Sequence, residues 1–212
     1  MIELVFVIVV LGILASLAMG RMDRDLKQEA SETILSHIRL TQQLALNDNK
    51  HLSDNNVSWQ RAYWNIHFRT CSNGDWSYRV SSNTGLETGG AAANAKDESA
   101  INPVDGKYLW SATCDNLLND ESPVVHLSKK FGISNISGCG NRQIAFDYLG
   151  RVHTSTVYPN ANFSNIMTAD CNLTFRMSTD VNNDGVIDNN DNFIITIENE
   201  TGHAFVVGQE AL

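Results

Sequence analysis

The sequence predicts an α+β protein in which one long N-terminal helix packs on an antiparallel β body. Three observations predict it. Residues 4–19 carry no charge, and their apolar pattern passes into helical spacing that continues to about residue 45. Beyond that point short alternating stretches recur between turns rich in Asn, Asp and Gly. Four widely spaced cysteines and one oxygen-rich loop lie in this second part, so the body is expected to carry disulfides and an EF-hand-like calcium loop. The divisions that follow are residues 1–20, the apolar half of the helix, 21–48, its amphipathic half, and 49–212, the β-rich head.

In the first half Val, Ile, Leu and Ala face every side, which a soluble amphipathic helix does not show. Such a segment belongs in lipid or in a dry bundle. Sixteen residues span roughly 24 Å, short of a ~30 Å hydrocarbon core unless Met1, Ile2, Ala18 and residues upstream contribute. Glu3 is the anomaly. A carboxylate there costs several kcal/mol unless neutralised, which marks Glu3 as a candidate functional residue awaiting a cation. The competing reading is a secretory signal peptide, with Ser16-Leu17-Ala18 as its cleavage site. Against it, the only charge before Arg21 is acidic, and the run feeds without a breaker into more helix.

Past Gly20, residues Met22, Leu26, Ala30, Ile34, Ile38, Thr41 and Ala45 recur at helical spacing between Arg24, Lys27, Glu29 and Glu32. This stripe suits packing on the chain's own body. Gly12 and Gly20 are expected to mark close approach or bending, and Asn47-Asp48-Asn49-Lys50 should end the helix.

In the body, alternation predicts strands at residues 63–68, 76–80, 108–110, 124–127, 143–146, 151–157, 172–177, 193–197 and 204–207. Residues 88–96, rich in Gly, Ala and Asn, predict a loop. In the hairpin around Asp147, Phe146 should anchor, Asp147 cap the turn and Gly150 take a positive φ. Cys71, Cys114, Cys139 and Cys171 contain no CxxC pair and fit two disulfides in an oxidising compartment better than a zinc site or free thiols. Three pairings are possible. Order along the chain favours Cys71 with Cys114 and Cys139 with Cys171.

The strongest local chemistry is the run from Asp180 to Asp191. Oxygen side chains stand at loop positions 1, 3, 5, 9 and 12 (Asp180, Asn182, Asp184, Asp188 and Asp191), Gly185 turns at position 6, and Val186 offers its carbonyl at 7. Such a set suits Ca²⁺, a hard cation taking about seven oxygens. Ile187 is expected to peg the loop to the core. The shorter Asp at position 12, in place of Glu, resembles dockerin loops rather than paired EF-hands. The alternative is an Asx-rich turn, in which crowded carboxylates would repel.

Ile2-Glu3-Leu4-Val5-Phe6-Val7-Ile8-Val9-Val10-Leu11-Gly12-Ile13-Leu14-Ala15 resembles the N-terminal helix of type IV pilins and type II secretion pseudopilins. The helix end from Ile38 to Leu46 and the turn Phe146-Asp147-Tyr148-Leu149-Gly150-Arg151 are similar to the FimT/GspH branch of that family. Family members carry a basic leader cut by a prepilin peptidase, and Met1 stands where the third mature residue would be, so the mature start is expected upstream. The family's helix-breaking proline is not seen, and Gly20 stands near its place. The resemblance implies a pilin-like lollipop: a minor pilin or pseudopilin of a bacterial filament. It would lie in the inner membrane with its head in the periplasm before assembly, and in a surface filament, packed against sister subunits, afterwards. Glu3 would then pair with the N-terminal amine of a neighbouring subunit.

No catalytic or nucleotide-binding motif stands in the chain, and an enzyme is not expected. His37 reads as packed or solvated, and His67, His126, His153 and His203 lack ligand-spaced neighbours. Composition bounds the partners: 15 Lys and Arg against 24 Asp and Glu give a net charge of −9, so nucleic acid would need a local basic patch. With 42% hydrophobic residues the chain can bury a core, which excludes disorder. Two other classes are a calcium-dependent tip adhesin or DNA-uptake pilin, and a bitopic membrane protein that never polymerises. Trp59, Trp64, Trp76 and Trp110 could form the adhesin's contact surface, though aromatic residues in strands are more often core.

Overall fold

Helix α1 spans Ile2–Asn47. No proline interrupts this stretch, and the polar cluster after it offers side-chain acceptors that compete with further helix. The computed structural model describes residues 2–49, 57–82, 96–113, 116–155, 165–182 and 184–209. The side chains of residues 2–4 and 14–25 fall outside that description, as do Cys114 and all of the loop predicted at 88–96 except Lys96.

The body is α+β with antiparallel sheets. Its strands are β1 (Trp64–Thr70), β2 (Trp76–Ser81), β3 (Ile133–Gly138), β4 (Gln143–Phe146), β5 (Val152–His153), β6 (Cys171–Met177), β7 (Phe193–Ile197) and β8 (Ala204–Val206). They form two four-stranded sheets, ordered β2-β1-β4-β5 and β3-β6-β7-β8. Alternation sends Leu173, Phe175 and Met177 of β6 and Phe193, Ile195 and Ile197 of β7 into the core, where the sheets meet. Phe68 of β1 meets Phe175 of β6 edge to face, 5.4 Å between centroids.

The second half of α1 packs on both sheets. Ala30, Ile34, Ile38, Thr41 and Ala45 are buried, and the stripe widens to take in His37, whose Nδ1 lies 2.6 Å from the Tyr78 hydroxyl. Arg39 donates to the Ala204 carbonyl at 3.1 Å, and Gln42 to the Thr201 carbonyl at 2.9 Å. At the helix end Trp64 Nε1 donates to Asp48 at 2.9 Å, fixing where β1 begins. Helix α1 runs without interruption through Gly12 and Gly20, and a Cβ at Gly12 would meet nothing within 4 Å, so Gly12 marks no close approach among the described residues.

Two predicted strands are corrected. Residues 124–127 instead form the 3₁₀ turn Pro123–Val125 and the start of helix α2 (Leu127–Phe131). Leu127 and Phe131, four apart, bury one helical face, and Gly132 at φ +70° stops it. Residues 108–110 form only isolated bridges, from Tyr108 to Ile101 and Glu121. Strand β3, absent from the sequence reading, buries only Ile133 and Ile136, because a register shift between Ile133 and Asn135 spoils the alternation.

The hairpin at Asp147 forms as its residues dictate. Asp147 Oδ1 accepts from the Leu149 and Arg151 N–H groups, both at 3.0 Å, and Gly150 has φ +81°. Its Oδ2 meets Arg151 Nε at 2.7 Å and His153 Nε2 at 3.2 Å. Burial raises the carboxyl's pKa, but the hydrogen bonds from His153 and Arg151 outweigh burial and hold it below the ordinary carboxylate value.

Candidate assembly face and metal loop

The described side chains in the first half of α1 are residues 5–13, all exposed. Among the large apolar ones exposure runs from 37% at Val10 to 70% at Phe6. Val5, Phe6, Val7, Ile8, Val9, Val10, Leu11 and Ile13 point to all sides of the helix, so no polar face remains to meet water. Scattered exposed apolar residues are ordinary in proteins, whereas a contiguous apolar cylinder marks an interaction site. Among the described residues no helix is long and apolar enough to cross a membrane. Glu3 lies in α1, and its side chain is outside the described ones.

The loop from Asp180 to Asp191 joins β6 to its neighbour β7; Asn183 lies outside the described residues. Gly185 sits at φ +90°, the sharp turn that position 6 requires. The oxygen side chains face the loop's own backbone. Asp180 accepts from Gly185 N–H at 2.7 Å, Asn182 from Asp184 N–H at 3.0 Å, Asp184 from Val186 N–H at 2.9 Å and Asp188 from Asn190 N–H at 2.7 Å. Asp191 is fully buried and staples the loop shut, accepting from Val181 N–H at 2.6 Å and Asp188 N–H at 2.9 Å. The backbone N–H of Asp188, then those of Val181 and Asn182, hold its carboxyl below the ordinary range against the opposing effect of burial. Lys27 of α1 donates to the Asn190 carbonyl at 2.9 Å.

Ile187 does not peg the loop. It is 44% exposed and Val186 is exposed beside it, while Val181 is the apolar residue that enters the core. Among the described residues no group of three or more His, Cys, Asp or Glu side chains is gathered closely enough to hold a metal ion.

Cys139 and Cys171 form a disulfide, Cα atoms 5.3 Å apart, which ties the end of β3 to the start of β6. Cys71 is also disulfide-bonded, and the pairing expected for it falls on Cys114, outside the described residues. Trp59 and Trp76 are buried, and Trp64 and Trp110 are half-buried, which weakens the idea of an aromatic contact surface. A basic cluster on β1 and β2 was missed by sequence reading. Only strand register could reveal it, since residues 67, 69 and 79 are brought together by pairing rather than by spacing. Comparison with family models, with curated proteins and with solved structures yields no match.

Proposed function

We propose that this chain is a structural subunit of a bacterial filament of the type IV pilus or type II secretion class, a minor pilin or pseudopilin. The observation that carries the reading is the apolar cylinder at residues 5–13, set on a helix whose later turns are buried against the body. A lone chain cannot cover such a surface. Lipid covers it before assembly, in the inner membrane after prepilin peptidase has acted, and sister helices cover it in the filament. Glu3 is then buried in both settings and is best paired in the second, with a neighbour's N-terminal amine. Cysteine pairs introduced at Ile8 and Ile13 test this in cells. The expected result is a crosslinked ladder of subunits, and monomers alone would overturn it.

The loop is read as a Ca²⁺ site that sets the β6–β7 connection. Its donors are all oxygen, which suits a hard cation. Asp180, Asn182, Asp184, the Val186 carbonyl, Asp188 and Asp191 would hold the ion, which would relieve repulsion among four carboxylates. Calcium should raise the melting temperature of the chain, and Asp180→Ala with Asp184→Ala should abolish the rise. Identical melting in chelator and in calcium would make the loop an ordinary turn.

A further inference from the structure

One face of the first sheet supplies Ile66, Phe68, Tyr78 and Val80 to the core. The register of β1 and β2 places Asn65, His67, Arg69, Ser77, Arg79 and Ser81 on the opposite face. There His67 pairs directly with Arg79, and Arg69 lies on the diagonal. Arg79 is only 4% exposed, its Nη2 donates to His67 Nδ1 at 3.4 Å, and its buried Nε has no hydrogen-bond partner. Arg69, half-buried, donates to Ser77 Oγ at 3.3 Å and to the Ser111 carbonyl. Arg142, at the foot of β4, lies 5.1 Å from the Trp76 ring centroid, and its buried Nε also lacks an acceptor.

Among the described residues, none of these three guanidinium groups forms an ion pair with a carboxylate. Glu121 acts on Arg69 at a distance, but its two oxygens already accept from the Ala112 and Leu118 N–H groups at 3.0 and 3.2 Å. A buried cation without a counter-charge, as Arg79 is, costs several kcal/mol, and the like charge of Arg69 beside it adds to that cost. The strain is visible in the titrating groups. Burial, then Arg79, Arg69 and Arg142, pushes His67 down to about 4, and burial together with Arg69 pushes Arg79 down to about 10. In a chain of net charge −9 this is a local cluster of positive charge, and the buried Arg79 Nε within it has no acceptor.

We infer that His67, Arg69 and Arg79 form a binding site for a tetrahedral oxyanion of the phosphate or sulfate class, with Arg142 at its margin. Guanidinium forks match such oxygens two at a time, and a dianion answers two or three clustered positive charges better than a single carboxylate does. Arg79 is almost wholly buried, whereas His67 and Arg69 are half-buried and keep contact with solvent. The oxyanion can be a free ion or the terminal group of a phosphate monoester.

The test is calorimetric titration of the full chain with inorganic phosphate and, separately, with phosphoserine, at ionic strength held constant with chloride. A parallel NMR titration follows the His67 imidazole. Saturable binding of phosphate, of phosphoserine or of both is expected, the pattern telling free ion from ester. The bound anion should raise the His67 pKa by about one unit. Arg69→Gln should weaken binding at least tenfold and Arg69→Lys should restore only part of it, with the urea midpoint of each variant read alongside to show that the fold is kept. The inference is overturned if neither ligand gives heat or moves His67. It is equally overturned if Arg69→Gln binds like the wild type, or if acetate matches phosphate.

Discussion

Two stretches of α1 meet opposite surroundings. Residues 5–13 are exposed on all sides, whereas residues 30–45 bury a stripe at Ala30, Ile34, Ile38, Thr41 and Ala45 against both sheets. The difference lies in what stands between the apolar residues. In the second stretch Glu32, Ser36, Arg39 and Gln43 give the helix a wet face, so one body can cover the rest. In the first stretch there is no wet face, so covering one side leaves the other exposed. A wet face on the second stretch and none on the first decides which of the two a single body can cover.

The largest effect that would sharpen this contrast is expected from Ile38→Asp. A carboxylate at a fully buried site that packs against the core should cost about 4 kcal/mol, read as the urea midpoint of the chain in detergent. Gly202→Ala comes next. Its added Cβ would lie 2.7 Å from Gln42 Nε2 and from the Gly150 carbonyl, at φ +68°, and should cost about 2 kcal/mol by prising the end of α1 from the body.

Acid should weaken the buried stretch as well. Burial lowers the pKa of His37, and His67 falls to about 4, both below the ordinary ~6.5. The unfolded chain therefore takes up protons first as pH falls. Stability is complete above about pH 6.5 and is lost progressively toward pH 4, and His37→Gln should flatten part of that slope in urea titrations. The smallest effect belongs to Phe6→Asp, set in the chain that carries the cysteines at positions 8 and 13, which should change stability by less than about 0.5 kcal/mol while abolishing the crosslinked ladder. If Phe6→Asp unfolds the chain, the two stretches are not distinct environments.

Most of the elements could be read from local pattern. The α1 stripe, β6 and β7 follow strict helical or alternating periods, and the turn at Asp147 and Gly150 follows from side-chain size and charge. Strand β3 could not be read, because its register shift breaks the period that would reveal it. Residues 124–127 read as a strand because Val124, Val125 and Leu127 make a short apolar run, and only the shared face of Leu127 and Phe131 shows that the run leads from a 3₁₀ turn into a helix. In the loop, spacing placed Gly185 at the sharp turn, but it misassigned the peg. Val181 enters the core instead of Ile187, because Asp191 anchors the Val181 N–H from ten residues away.

The sequence alone determined the apolar cylinder, the amphipathic stripe and the chemistry of the loop, because each depends on residues close together along the chain. Order along the chain favours Cys139 with Cys171 among three pairings and the structure has that bond, while tertiary structure alone decided that His37 meets Tyr78 and that His67, Arg69 and Arg79 share one face. Those contacts depend on strand register and sheet packing, where a shift of one residue turns every side chain to the other face.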